Sequence, residues 1–279
     1  MKEKQKYTAN TLILQVIMTV VILFYFVPTY ITINYAFKDT QDKFNTSPIE
    51  LPTKLFFGNF LTAVKKIDYF RSLGNTFIIT TFAVILIIIL SGMAAFSLAR
   101  RNSKIYKASY LYFILGILVP YQAILVPLYI VGKRLGFVNN LAGVIFLYTA
   151  TGLPFGVFMM TGFMKTVPMQ LEEAALIDGC SVFGSFWRII FPLLKPAAAT
   201  LAILQSFQIW NDFLMPFLFL QKMALKTLTL RQFHLFEQYR SDLSTAFAAI
   251  IISTLPIIIF FTAMQKYFIK GISMGAVKG

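Results

Sequence analysis

The chain has 279 residues, 58% hydrophobic and only 13% charged, with a net charge of +14. A water-soluble fold of this length needs roughly 25% charged residues to cover its surface, so the composition excludes a soluble domain and names lipid as the solvent. Lys and Arg fall in short clusters between long uncharged runs, the pattern of cationic loops beside anionic lipid rather than of a nucleic-acid-binding face.

One cysteine, Cys180, excludes an internal disulfide and any C-x-x-C site. One histidine, His234, excludes H-E-x-x-H and other His-based metal constellations. One His, one Cys and few carboxylates inside the apolar runs leave almost no catalytic set.

A helix needs about 20 apolar residues to cross the hydrocarbon core. In chain order, such runs predict spans over 11–37, 76–99, 108–132, 139–164, 197–220 and 243–265. No run alternates with period two, which excludes barrel strands. The expectation is therefore an all-α polytopic membrane protein, a single domain over 1–279 with six transmembrane helices. Lys2, Lys4 and Lys6 precede the first run, but that run is too long for a signal-peptide core and no A-x-A follows, so it reads as a retained span. An even number of spans puts both termini on one side. Lys and Arg divide almost evenly between the two sides, but the dense cluster Arg100, Arg101, Lys104 and Lys107 favours the cytoplasm for its loop.

Pro28, Pro120, Pro127, Pro154, Pro216 and Pro256 all fall within spans, and Gly152 and Gly156 form G-x-x-x-G. These residues allow close packing, or kinked helices along a pathway. In the fifth span Gln205, Gln208 and Asp212 share a face, with Asn211 beside it and Trp210 adjacent. Polar groups at such depth face a wet cavity or bond a neighbouring helix.

The loop 165–196 is the informative polar segment. Pro168 suits the start of a helix, Glu172 and Glu173 suit its first turns, and Gly179 suits a positive-φ stop. Ser181 then suits the N-cap of a second helix, which Pro192 is expected to end. On that helix Phe183, Phe186, Trp187 and Ile190 recur at i, i+3, i+4, i+7 and predict an apolar face.

Glu173-Ala174-Ala175, then Gly179, then Ile189-Ile190-Phe191-Pro192 resembles the E-A-A…G…I-x-L-P signature of membrane subunits of binding-protein-dependent ABC importers, with Phe191 in place of Leu and Asp178 before the glycine as is usual. Val126-Pro127-Leu128-Tyr129, Leu153-Pro154-Phe155, Trp210-Asn211-Asp212-Phe213 and the tail from Phe268 to Gly279 are similar to the smaller permease of maltose-type carbohydrate importers. The resemblance implies a type I ABC importer transmembrane domain with an EAA coupling helix between helices 4 and 5. It implies that Glu172, Glu173, Ala174, Ala175, Asp178, Gly179 and Pro192 couple the chain to an ATPase: Glu173 by polar contact, Gly179 by the turn, the alanines by close approach. Gln205, Gln208, Asn211 and Asp212 become the candidates for a carbohydrate pathway.

The implied partners are a second homologous permease, two ATPase subunits and an extracytoplasmic solute-binding protein, in a prokaryotic plasma membrane with both termini cytoplasmic. The chain has no G-x-x-x-x-G-K-[ST], so ATP and Mg are expected on the partner ATPase, with no cofactor, metal or nucleic acid on this chain. The loop leaves the cargo open: a polyol, glycerophosphate or modified sugar would use the same architecture. An ion-coupled secondary transporter would instead show internal repeats and have no use for the docking loop.

Overall fold

Away from water every backbone N–H and C=O must find an internal partner, which long apolar runs achieve as helices. The computed structural model describes residues 9–238 and 242–276, and among them all regular structure is helical. Lys2, Lys4, Lys6 and the tail residues Val277, Lys278 and Gly279 lie outside the described residues. The elements are α1 (Ala9–Ala36), α2 (Thr40–Asn45), α3 (Gly58–Lys66), α4 (Tyr69–Arg100), α5 (Lys104–Leu118), α6 (Tyr121–Arg134) and α7 (Leu141–Met164). They continue as α8 (Gln170–Ile177), α9 (Val182–Ser185), a π-helical turn (Phe186–Ile190), α10 (Phe191–Leu193), α11 (Lys195–Asn211), α12 (Leu214–Phe219), α13 (Leu228–Gln238) and α14 (Leu243–Ala276).

Among these, α1, α4, α7 and α14 are each long and apolar enough to cross a membrane, and two bent pairs bring the number to six if each pair is one span. The third predicted span, 108–132, is one of those pairs and not one helix. Its axis turns by 104° between α5 and α6. Pro120 lacks an N–H and holds Val119 in extended backbone (φ −78°, ψ 119°), so the helix stops there. The fifth, 197–220, is interrupted at Asp212, whose extended backbone ends α11 while its Oδ1 accepts from Leu214 N at 2.9 Å to start α12. Between the fifth and sixth predicted spans the segment around His234 forms a helix of its own, α13.

By its internal contacts the chain divides into two compact units, one of Met1–Tyr69 and Gln232–Ser253, the other of Phe70–Arg231 and Thr254–Gly279. In the first, the apolar window of α1 is exposed throughout, as a helix solvated by lipid would be. Beyond it Lys38 is fully buried, its Nζ donating to Thr46 Oγ1 and Ser47 O at 2.7 and 2.6 Å. Asp42 accepts from Thr53 N and Oγ1, and Asn59 Nδ2 donates to Ala36 O and Lys38 O. These bonds give a short polar segment a fixed shape without a large core.

In the second unit, Ile79, Ala83, Ile87 and Ala95 of α4 join Leu147, Met160 and Met164 of α7 and Leu201 and Ile209 of α11 in one apolar core. The G-x-x-x-G pair is a packing device: a Cβ on Gly152 would lie 2.5 Å from Ile87 Cδ1, and one on Gly156 would lie 3.0 Å from Ser91 Cβ. Removing both side chains lets α7 approach α4 closely, which substitutes for the hydrophobic drive that lipid does not supply.

Candidate coupling loop and polar pocket

The loop folds as two short helical segments around Gly179. Regular helix begins at Gln170, two residues after Pro168, although Leu171 N already donates to Pro168 O. Glu172 and Glu173 stand in the first turn of α8 as expected. At its other end Gly179 takes φ +83°, Gly179 N donates to Leu176 O and Cys180 N donates to Ala175 O. This is the Schellman closure, in which a left-handed residue turns two later amides back onto the last free carbonyls. Nothing lies within 4 Å of a Cβ built on Gly179, so backbone conformation and not space is what calls for glycine. Ser181 Oγ accepts from Gly184 N at 3.1 Å and caps α9.

The two acidic residues part company. Glu172 is 8% exposed and turned into the chain, where its carboxylate accepts from Arg100 Nε at the end of α4. Arg100 Nη2 also donates to Val167 O at 3.0 Å, so one guanidinium ties α4 to both the start of the loop and its first helix. Glu172 is therefore an internal anchor in this chain, and Ala175 is likewise buried. Glu173, Ala174, Asp178 and Gly179 are exposed and form the outward side of the turn.

The second segment carries the apolar face only in part. Phe186 and Ile190 are buried, Trp187 is half-buried, and Phe183 is exposed. Phe186 meets Phe96 of α4 with ring centroids 5.3 Å apart, and Phe191 lies over Gly92 of the same helix. Pro192 does not end the segment: helix resumes as α10 directly around it. The reason is the π turn before it, where Phe191 N donates to Phe186 O. That wider turn shifts the bonding register ahead of the proline, so its missing N–H leaves the helix unbroken. The redirection comes two residues later, where the axis bends by 72° between Val182–Leu193 and Lys195–Asn211.

At the far end of α11 a cavity of about 200 Å³ is lined by Tyr121, Tyr148, Thr151, Phe207, Gln208, Asn211 and Asp212. Tyr121 and Tyr148 hydroxyls both donate to Asp212 Oδ2, at 2.9 and 2.8 Å, and Thr229 Oγ1 donates to Asp212 O. Asp212 thus joins α6, α7 and α12 through one carboxylate while it also lines the cavity. Gln208 and Asn211 are exposed and line the cavity.

Two expected neighbours lie elsewhere. Gln205 is buried beside Gly152, because a turn of helix places it on the α7 contact. Trp210 is buried against a separate apolar cavity of about 410 Å³ that Val84, Ile88 and Phe260 also line. Tyr121 and Tyr148 were not legible as site residues, since single tyrosines in apolar runs carry no spacing that ties them to Asp212. Among the described residues no group of three or more His, Cys, Asp or Glu is placed to hold a metal.

Residues 87–274, more than half of the chain, match the family described as "Binding-protein-dependent transport system inner membrane component". The chain is 38% identical to the probable starch degradation products transport system permease protein AmyC of Thermoanaerobacterium thermosulfurigenes, over 90% of this chain and 91% of that one. It is also 38% identical to the melibiose/raffinose/stachyose import permease protein MelC of Bacillus subtilis, over 98% of both chains. In fold it is similar to a chain of the bacterial ABC transporter involved in the import of the acidic polysaccharide alginate, with a TM-score of 0.81 at 20% identity over 95% of this chain and 100% of that one. A multi-pass helical chain with the type I permease fold and a capped E-A-A…G loop, it belongs to the family of binding-protein-dependent transport system inner membrane components.

Proposed function

We propose that this chain is one half of the translocation pathway of an ATP-driven importer whose cargo is a carbohydrate, most simply an oligosaccharide. The observation that carries the reading is the exposed Glu173–Gly179 turn held to α4 from within by Arg100 and Glu172. Such a knob is shaped to receive a partner on its outside and to pass a displacement to the bundle on its inside, and a packed interface transmits small shifts as discrete ones. The carbohydrate cargo is supported by the relatives, both named for sugar transport, and by a cavity that offers tyrosine rings and the amides of Gln208 and Asn211 to hydroxyl groups.

In this reading the chain has no ATPase activity of its own. ATP and Mg are bound by two partner ATPase subunits, a second permease completes the pathway, and an extracytoplasmic binding protein delivers the solute. Arg100, Arg101, Lys104, Lys107 and Lys165 flank the coupling loop and favour a cytoplasmic position for it; both termini then lie on that side too.

The test is reconstitution of the whole assembly, with its binding protein, in proteoliposomes, with uptake measured for starch degradation products, melibiose, raffinose and stachyose. Uptake of at least one, dependent on internal ATP and lost in Gly179→Pro although that variant inserts, is the expected result. Uptake that follows an ion gradient and ignores ATP would sink the proposal.

A further inference from the structure

Beside the coupling loop is a further cavity, of about 360 Å³, that the transport reading leaves unused. Its lining includes Arg100, Arg101, Lys107 and Lys165 together with Tyr106, Tyr110 and Thr161. It is built where three apolar helices end: the last turn of α4, the first turn of α5 and the end of α7. Among the described residues the cations of this cavity meet one carboxylate, Glu172, which is already spent on Arg100. Arg101 is held over the Tyr106 ring, its Nη1 donating to the phenol oxygen at 2.6 Å, and Lys165 Nζ stands 5.2 Å from the centre of the Tyr110 ring. The tyrosines position both cations without neutralising them.

A further observation points to a ligand. Thr161 is 1% exposed, lines this cavity, and its Oγ1 has no hydrogen-bond partner. Threonines in these helices ordinarily return that hydroxyl to the carbonyl four residues back, as Thr149 does to Ile145 O and Thr200 to Pro196 O. A buried hydroxyl left unpaired costs stability unless something fills the gap. An uncompensated cation cluster with a free buried hydroxyl suits an anion with several acceptor oxygens.

We infer that this cavity binds a phosphate-bearing anion, which Arg101, Lys107 and Lys165 neutralise and which accepts from the Thr161 hydroxyl. Phosphate oxygens match the planar donor fork of arginine. Two sources share this chemistry: the headgroup of an anionic phospholipid, favoured where basic residues gather at the ends of apolar helices, and free phosphate in solution.

The test uses the full chain, purified in an uncharged detergent and titrated calorimetrically with dioctanoyl phosphatidylglycerol, dioctanoyl phosphatidylcholine or inorganic phosphate. Saturable binding of the phosphatidylglycerol, with the phosphatidylcholine much weaker, is expected. R101Q/K165Q should weaken it about 30-fold, at one charge's worth of surface attraction per residue, while R101K/K165R stays close to the unaltered chain. Thr161→Val should weaken it roughly fivefold through the single lost hydrogen bond. If inorganic phosphate alone binds with the same dependence on these variants, the site holds and its source is the free ion. Equal binding of both lipids without a phosphate effect, or binding that R101Q/K165Q leaves intact, would overturn the inference. Should R101Q/K165Q fail to fold, Lys107→Gln makes the same charge test at about fivefold.

Discussion

Arg100 at the end of α4 and Glu172 in the first turn of α8 form a nearly buried ion pair, with side chains 13% and 10% exposed. The pair converts a loop helix into an extension of a spanning helix. Arg100→Gln would leave the Glu172 carboxylate uncompensated, a loss of about 3 kcal/mol for a buried partner. Thermal unfolding in detergent should show it, and R100Q/E172Q should recover part of the loss because no charge is then stranded. If the double variant is as unstable as the sum of the singles, the two residues are not coupled.

At Gly179 the left-handed backbone, and no crowding, sets the order of tolerated residues. Asn tolerates that conformation best after Gly, Ala loses about 1 kcal/mol, and Pro cannot adopt it and also removes the N–H that donates to Leu176 O. Substrate-stimulated ATPase activity of the assembled importer should fall in the order Gly, Asn, Ala, Pro while membrane insertion stays constant. Equal activity for Ala and Pro would contradict this account of the turn.

The pocket at the end of α11 separates structural from contact residues. Tyr148→Phe removes a hydrogen bond to a carboxylate and should lower stability by about 2 kcal/mol, and Asp212→Ala by more, since it strands two tyrosine hydroxyls and uncaps α12. Gln208→Ala, with an exposed side chain, should leave the unfolding temperature unchanged and reduce uptake. Normal uptake and normal binding-protein-stimulated ATPase in that variant would remove Gln208 from the pathway.

Acid should loosen the first unit through Asp242. Burial pushes this carboxyl up, but hydrogen bonds from Thr245 and Lys43 outweigh it and hold the group below its ordinary range. A depressed carboxyl contributes stability above its unfolded value and loses it as pH falls through the folded one, so the contribution is complete at neutral pH and disappears below about pH 4. The pair is partly exposed, so its effect stays under about 1 kcal/mol. Comparing acid unfolding of the unaltered chain with Asp242→Asn from pH 6 to 3 should show the two converging at the acid end. Curves that stay parallel would exclude the linkage.

Much of the membrane architecture was legible from residue order alone. Uncharged runs longer than a bilayer is thick leave the backbone no choice but helix, and local chemistry is equally direct at Gly179 and Ser181, whose turn and cap depend on neighbours a few residues away. The place of the E-A-A…G loop between spans, and its resemblance to a transport family, could be read from the same kind of local pattern, and the family match over 87–274 agrees with that resemblance.

Tertiary structure decided which side of each helix has a partner. Glu172 and Glu173 are adjacent and chemically alike, yet one is an internal anchor and the other faces out, because only one points at Arg100, 72 positions earlier. Gln205 and Gln208 share a face in projection, but α7 covers the first and leaves the second at the cavity. Pro192 should have stopped a helix by its own chemistry, and a π turn just before it absorbed the missing donor. Local geometry is set by bonds within a few residues and can be read along the chain; burial and pairing depend on contacts between distant segments, which exist only once the helices have packed.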